Sequence, residues 1–167
     1  MSDIIFHRDN FIFGCRAAGI LVHCGKVLLQ CPKNTNEYAF PGGHVALGET
    51  AAETLYREWR EEIGADIEVG ELKWVEENLF SWGSKDAHQI SLSFLVTLKI
   101  SAQIPLEGSF ISKEYKANDD SKSDSDSAVW FHWVKLSEIK NLSVYPTKAA
   151  ELLPLVNEGV KHFIYRG

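Results

Sequence analysis

The sequence predicts a single α+β domain, layered as α/β/α, with a mixed β-sheet. Its length of 167 residues lies within the range of one ordinary domain. Hydrophobic residues make up 45% of the chain and aromatic residues 11%, enough for a sizeable core. Strand patterns outnumber helical ones, in the order β-β-α-β-β-β-α. We therefore expect one domain over residues 1–167.

Two strands and a glycine loop are predicted first. Residues 11–24 are mainly apolar or small, which is typical of a buried strand, and residues 27–31 form a second apolar run. Gly25 and Lys26 lie between them and indicate a hairpin. The Ala-Phe-Pro-Gly-Gly sequence at residues 39–43 then predicts a glycine-marked loop.

A helix is predicted from Thr50 to Ile63. Apolar side chains recur there at spacings of three and four residues, as on one face of a helix. Thr50 followed by Glu53 is a capping-box pattern, and Gly64 is a suitable residue to end the helix.

The second half of the chain is predicted to be mainly strands. β-branched and aromatic residues favour strands at 67–80 and 89–101, joined by a hairpin at 83–86, and another at 129–136. A C-terminal helix is expected at 147–156, entered through Pro146. Residues 117–127 contain four aspartates and no large apolar residue, which predicts a solvated, mobile acidic loop.

Composition excludes several classes of function. The 17 basic and 23 acidic residues give a net charge of −6, which disfavours binding to a nucleic-acid polymer. No apolar run is long enough to cross a membrane. Cys15, Cys24 and Cys31 are odd in number and contain no C-x-x-C pair, so we expect reduced thiols in a cytoplasmic protein.

Three glutamates of the predicted helix indicate a metal site. At about 100° per residue, Glu58, Glu61 and Glu62 share an arc of about 100° beside the apolar stripe. Hard divalent cations prefer such oxygen ligands, and Gly42 and Gly43 allow the backbone to approach closely just before the helix. The alternative from the helix alone is a solvated glutamate face.

The segment from Gly43 to Ala65 resembles the Nudix box, a pattern of G, five residues, E, seven residues, then R-E-U-x-E-E-x-G-U, where U is bulky and aliphatic. Two U positions differ, because they hold Trp59 and Ala65. The resemblance implies a Nudix-like α/β/α sandwich with a mixed central sheet. The seven fixed letters are Gly43, Glu49, Arg57, Glu58, Glu61, Glu62 and Gly64.

The resemblance also implies an activity: hydrolysis of a pyrophosphate bond in a nucleoside diphosphate linked to another moiety, with Mg²⁺ or Mn²⁺. The expected metal ligands are Glu58, Glu61, Glu62 and the backbone carbonyl of Gly43. Arg57 is expected to orient Glu58 and to pair with Glu49, and Gly64 is expected to be structural. We expect a small nucleotide as substrate. A homodimer is a candidate assembly.

The sequence offers several candidates for the general base and for the substrate contacts, each with an alternative role. Glu107, Glu114 and Glu77 are candidates for the base, and each has the alternative of a solvated surface carboxylate. Arg16 is a candidate phosphate contact or a strand-end ion pair. Trp82 and Phe40 are candidates for stacking on a base, with a core position as the alternative.

Two other functions remain open at this point. A catalytically silent Nudix-like module would bind a nucleotide without turning it over, although such a module has no need for every charged residue of the box. RNA decapping would use the same chemistry on a polymer, but the acidic balance of the chain disfavours it.

Overall fold

The computed structural model describes residues 2–116 and 128–167 and confirms an α+β fold with mixed sheets and few helices. The predicted acidic loop at 117–127 lies outside the described residues. No helix of the part described is long and apolar enough to span a membrane.

The described strands divide between two sheets, whereas the sequence predicted one. The first sheet has the order β1-β2-β8-β7-β12, with β6 also beside β2, and its β2–β8 and β7–β12 pairs are parallel. Its strands are β1 (Ile5–His7), β2 (Phe11–Ile20), β6 (Gly42–His44), β7 (Ile67–Trp82), β8 (Lys85–Leu98) and β12 (Lys161–Arg166).

The second sheet has the order β11-β5-β4-β10-β9, with β3 paired to β4, and its β5–β11 pair is parallel. Its strands are β3 (Val22–His23), β4 (Lys26–Pro32), β5 (Glu37–Ala39), β9 (Ser109–Ile111), β10 (Val129–Lys135) and β11 (Ser143–Tyr145).

The helices are short: α1 (Ala51–Glu58), α2 (Lys113–Lys116) and α3 (Ala149–Leu152). A π-helical turn, Trp59–Ile63, extends α1 directly. Turns of 3₁₀-helix cover Ser101–Gln103, Leu136–Asn141 and Leu153–Leu155. The predicted C-terminal helix thus shrinks to α3 and one 3₁₀ turn, which contains Pro154 and therefore lacks one backbone donor.

Other differences from the predictions concern pairing between distant segments. The predicted strand at 11–24 divides, because β2 ends at Ile20 and β3 belongs to the other sheet. Gly42 and Gly43 form a strand and not a loop, paired antiparallel with Ala18 and Ala17. The hairpins at residues 25 and 83 are confirmed. The strands that were not predicted are β1, β5, β9, β11 and β12.

Two buried clusters position the site. Trp59 and Leu55 pack one side of the helical segment against β2, and a Cβ at Gly19 would lie only 3.0 Å from the Trp59 ring. In the second cluster, which includes α3, the rings of Phe40 and Trp74 meet edge to face at 5.4 Å. The helix is therefore fixed to the first sheet beside β6.

Candidate active site

Helix α1 begins at a complete capping box. Thr50 Oγ1 accepts a hydrogen bond from the Glu53 amide at 3.2 Å, and the Thr50 amide donates to the Glu53 carboxylate at 2.7 Å. These bonds satisfy backbone donors that the first turn leaves open. The start of the helix is thereby fixed just after the glycine strand β6.

The helical segment ends in the wider π turn. The carbonyl of Trp59 accepts from the amides of both Gly64, at 2.7 Å, and Ala65, at 3.1 Å. Gly64 has a φ of 74°, a left-handed conformation that glycine adopts without strain. Glu61 and Glu62 lie in this turn, so their directions differ from those of a regular α-helix. Such π turns are frequent at functional sites.

The backbone of Gly43 lies directly against Glu58. A Cβ built on Gly43 would collide with the Glu58 carboxyl group, so any larger residue would displace it. Gly43 is held there by its pairing with Ala17 of β2. The close approach brings the backbone of β6 and the Glu58 carboxylate to one side of the helix.

Arg57 links the neighbouring carboxylates. Its Nε and Nη2 donate to the two oxygens of Glu49, both at 3.0 Å, and its Nη1 donates to Glu58 at 2.6 Å. Thr54 also donates to Glu49, at 3.1 Å. The bonds from Arg57 hold the pKa of Glu49 below its usual value. The expected pairing of Arg57 with both glutamates is present in this geometry.

Glu58 and Glu62 have the opposite electrostatics. Burial raises the pKa of Glu62 from its usual 4.5 to about 7, and the negative charge of Glu58 adds to the shift. Burial also raises the pKa of Glu58, although Arg57 opposes it. Arg16, whose Nη2 donates to the Gly42 carbonyl at 2.8 Å, is a further nearby cation. Arg57 and Arg16 therefore do not fully offset the effect of burial on these two glutamates.

The donor set here is suited to a hard divalent cation. Buried carboxylates whose charge the nearby arginines offset only in part, next to a glycine backbone, are the kind of oxygen ligands that Mg²⁺ and Mn²⁺ prefer. Over residues 2–116 and 128–167, no three or more His, Cys, Asp or Glu side chains lie in an arrangement that could hold a metal ion without moving. Glu61 is half-exposed and 3.5 Å from Arg57, so binding an ion requires side-chain rearrangement.

Comparison with known proteins decides the family. A model of the NUDIX domain matches residues 15–156. The chain belongs to the Nudix hydrolase family. The matched region covers the whole box, so the resemblance found in the sequence is confirmed.

Solved structures with the same fold are distant in sequence. A Nudix hydrolase from Nitrosomonas europaea is 20% identical, with a TM-score of 0.58 over 96% of this chain and 82% of that one. The MutT protein from Bacillus halodurans is 19% identical, with a TM-score of 0.58 over 92% and 90%. The E. coli ORF135 protein is 21% identical, with a TM-score of 0.54 over 87% and 91%.

Beside α1 and its π turn, one face of the first sheet is unusually polar. Cross-strand pairing places Arg16 of β2, Ser91 of β8 and Glu76 of β7 in one row. Gln89 and Asn78 form the adjacent row on the same face. None of these β7 and β8 residues was predicted as a site residue, although their alternation along each strand is visible in the sequence.

His44, the last residue of β6, connects this polar face to the segment before α1. Its ring lies over Gly14, where a Cβ would be 3.4 Å from it, and its Nε2 is 3.4 Å from the Gln89 amide nitrogen. Ser91 donates to Gln89 Oε1 at 3.3 Å. Burial and the charge of Arg16 lower the pKa of His44, which favours the neutral ring.

The candidate bases lie in different places. Glu114 of α2 is close enough for its charge to raise the pKa of Glu62, and the adjacent Lys113 donates to the Gly64 carbonyl at 3.4 Å. Glu107 has an 86% exposed side chain and pairs with Lys26 at 3.6 Å. Glu77 pairs with His162 at 2.8 Å on the face of β7 opposite Glu76. Of these three candidates, only Glu114 lies near Glu62.

The two candidate stacking residues also separate. Phe40 is 1% exposed and packed against Trp74, so its ring has no face open for a base. Trp82 is 49% exposed and stacks on Phe80 at 6.4 Å. Both aromatic residues of that stack line a small, partly open pocket that His44 and Gln89 also line.

Proposed function

We propose that this Nudix protein hydrolyses a pyrophosphate bond in a nucleoside diphosphate linked to another moiety, either a nucleoside triphosphate or a nucleotide-sugar or dinucleotide. The observation that carries the proposal is the buried pair Glu58 and Glu62 beside the Gly43 backbone, without enough positive charge to balance it. Such a pair attracts a divalent cation, and a cation in turn attracts a diphosphate.

The proposed ligands of Mg²⁺ or Mn²⁺ are Glu58, Glu61, Glu62 and the carbonyl of Gly43. When bound, the metal supplies neutralisation of charge on the phosphate oxygens and a lower pKa for a coordinated water. Arg57 keeps Glu58 against Gly43 through its 2.6 Å hydrogen bond, and its fork to Glu49 holds the guanidinium in place. Arg57 therefore acts as a positioning residue.

Glu114 is the proposed general base. Its negative charge acts on Glu62, which supports a position near the reacting groups, whereas Glu107 is exposed and paired with Lys26. Glu114 would take the proton from the water that attacks phosphorus. Lys113 fixes the start of α2 against the end of the Nudix segment, which helps to hold Glu114 there.

The proposed substrate contacts are Arg16 and Trp82. The Arg16 guanidinium is fixed on the Gly42 carbonyl next to the glutamates, a position suited to a phosphate oxygen. Trp82 offers an exposed ring for stacking on a base. The acidic chain favours a small nucleotide over a nucleic-acid polymer, and we propose a cytoplasmic location. A homodimer stays a prediction.

The test is phosphate or pyrophosphate release from a panel of nucleoside triphosphates, nucleotide-sugars and dinucleotides. Each reaction is run with Mg²⁺, with Mn²⁺ and with EDTA. We expect turnover of at least one class that needs the metal and stops in EDTA. Absence of turnover across the panel at micromolar protein would overturn the proposal for those substrates.

The silent binding module is the second candidate. The 2.6 Å hydrogen bond from Arg57 to Glu58 favours it, because it neutralises part of that carboxylate's charge without a metal. That alternative predicts nucleotide binding by calorimetry without release of product. The same panel, measured for both binding and turnover, separates the two functions.

A further inference from the structure

Glu76 is a buried acidic side chain on β7. Only 5% of the residue is exposed, and its carboxyl group makes no hydrogen bond or ion pair within residues 2–116 and 128–167. Burial raises its pKa to about 7. An unpaired buried carboxyl group destabilises a fold, so its presence calls for a ligand or a functional reason.

Asn78 repeats the feature two residues along the same strand. Its Oδ1 is buried and has no hydrogen-bond partner among the described residues. Residues two apart on a strand point to the same face, so Glu76 and Asn78 face the same way. The two side chains together present a set of hydrogen-bond acceptors that nothing in the described protein satisfies.

This acceptor pair lies beside the Nudix glutamates. Glu76 faces Ser91, and Ser91 faces Arg16, so Glu76 is two strands away from the arginine that adjoins Glu58 and Glu62. Two strand spacings correspond to about 10 Å between backbones. A sugar can bridge that separation, with a phosphate at the Arg16 end and a base at the Glu76 end. Trp82 lies six residues beyond Glu76 on β7, about 20 Å away, so its proposed stacking would involve the other moiety of the substrate.

The unpaired groups determine what can bind. A second phosphate is unsuitable because Glu76 would repel it. An uncharged heterocycle with two adjacent N–H donors satisfies the ionised carboxylate, and a further N–H donor satisfies Asn78 Oδ1. Among the common bases, guanine presents that arrangement, through N1–H and its 2-amino group.

We propose that Glu76 and Asn78 form a base-recognition site that selects a guanine-type edge with adjacent N–H donors. The inference rests on the proposed function only in taking the ligand to be a nucleotide. Hydrogen bonding to a buried charged group discriminates strongly against an analogue that lacks the donor. Inosine differs from guanosine by the 2-amino group alone and is therefore the matched ligand.

The test measures binding of GMP and IMP to the full chain in EDTA at pH 8 by calorimetry. Neither ligand contains a pyrophosphate bond, so binding is independent of turnover. We expect GMP to bind about tenfold or more tightly than IMP. Glu76→Gln should abolish the preference, and Glu77→Gln, its neighbour on the opposite face, should retain it.

Other outcomes are equally decisive. Equal affinity for GMP and IMP, no binding of GMP at millimolar concentration, or an unchanged preference in Glu76→Gln would overturn the inference. Glu76→Gln should keep the thermal unfolding midpoint of the parent at pH 8 or raise it, because it removes an unpaired charge. If that variant does not fold, Asn78→Ala should weaken the preference instead, and an unchanged preference there overturns the site. A chain that prefers GMP but hydrolyses nothing refutes the proposed function and leaves this site standing.

Discussion

Glu49 and Glu62 belong to the same sequence motif but have opposite surroundings. Two nitrogens of Arg57 donate to Glu49 at 3.0 Å, Thr54 adds a third donor, and the pKa of Glu49 falls. Glu62 is buried near Glu58, and its pKa rises from 4.5 to about 7. One carboxylate is compensated within the protein and the other is not.

The difference shows how one helix can combine support with binding. The compensated region of Glu49 and Arg57 holds the loop before α1 to the helix and stabilises the charged form of both groups. The uncompensated region is Glu58 and Glu62, where Arg57 and Arg16 offset only part of the cost of burial, so an added cation is favourable there. Arg57 contacts both regions and so forms the boundary between them.

The largest expected effect comes from removing charge on the uncompensated side. Glu62→Gln should lower kcat by about 10³-fold or more, since it removes a proposed metal ligand at nearly constant volume. The fold should remain, with equal or higher stability in EDTA. Hydrolysis rates and thermal unfolding, with exposed Glu68→Gln as the control, provide the measurement. Collapse of the fold would make Glu62 structural and would erase the contrast with Glu49.

The two candidate bases extend the comparison to a group outside the helix. Glu114→Gln should lower kcat by about 10²-fold or more with little change in KM, because a general base acts in the chemical step. Glu107→Gln should leave both constants unchanged, since Glu107 is exposed and paired with Lys26. Equal loss in both variants, or none in Glu114→Gln, would remove Glu114 from the proposed mechanism.

The contrast also has a signature in pH. A carboxyl whose pKa is raised in the folded state holds its proton there between pH 4.5 and about 7, whereas the unfolded chain has lost it. The contribution of the Glu62 proton to the free energy of unfolding is therefore complete below pH 4.5. It is lost as the pH rises to about 7, and it amounts to about 3 kcal/mol. Urea unfolding in EDTA from pH 4.5 to 8 should show it.

The comparison of parent and variant isolates Glu62 from other titrating groups. The stability of the parent minus that of Glu62→Gln should fall with increasing pH across this window. A difference that stays flat, or that rises, would show that burial does not raise the pKa of Glu62. Glu76 has the same sign of shift, so the slope that remains in Glu62→Gln should decrease again in the double variant with Glu76→Gln.

The local parts of the site could be predicted from the sequence because they depend on short spacings. The capping box of Thr50 and Glu53, the helical placement of Glu58 and the family itself all follow from residues close together in the chain. The π turn at Trp59–Ile63 could not be predicted, because periodicity gives no sign of the second amide bonded to the Trp59 carbonyl.

The non-local parts needed the structure. That Gly42 and Gly43 form a strand depends on pairing with residues about 25 positions earlier in the chain, whose small side chains allow it. Glu76 and Asn78 alternate visibly along the sequence, but their relation to Arg16 exists only through β8. For the same reason, nothing local distinguished Glu114 from Glu107 as a candidate base.

The smallest effect, and the one that tests the compensated side, is expected for Glu49→Gln. The neutral amide weakens two charge-assisted hydrogen bonds from Arg57 and leaves the guanidinium with less compensation, so the free energy of unfolding should fall by about 2 kcal/mol. Glu68→Gln, an exposed residue paired with Lys99, should leave the unfolding midpoint unchanged. In EDTA at neutral pH, Glu49→Gln should thus destabilise the fold while Glu62→Gln does not. Shifts of the same sign in both variants would mean that the two glutamates have equivalent surroundings, and the division between a supporting and a binding side of the helix would be wrong.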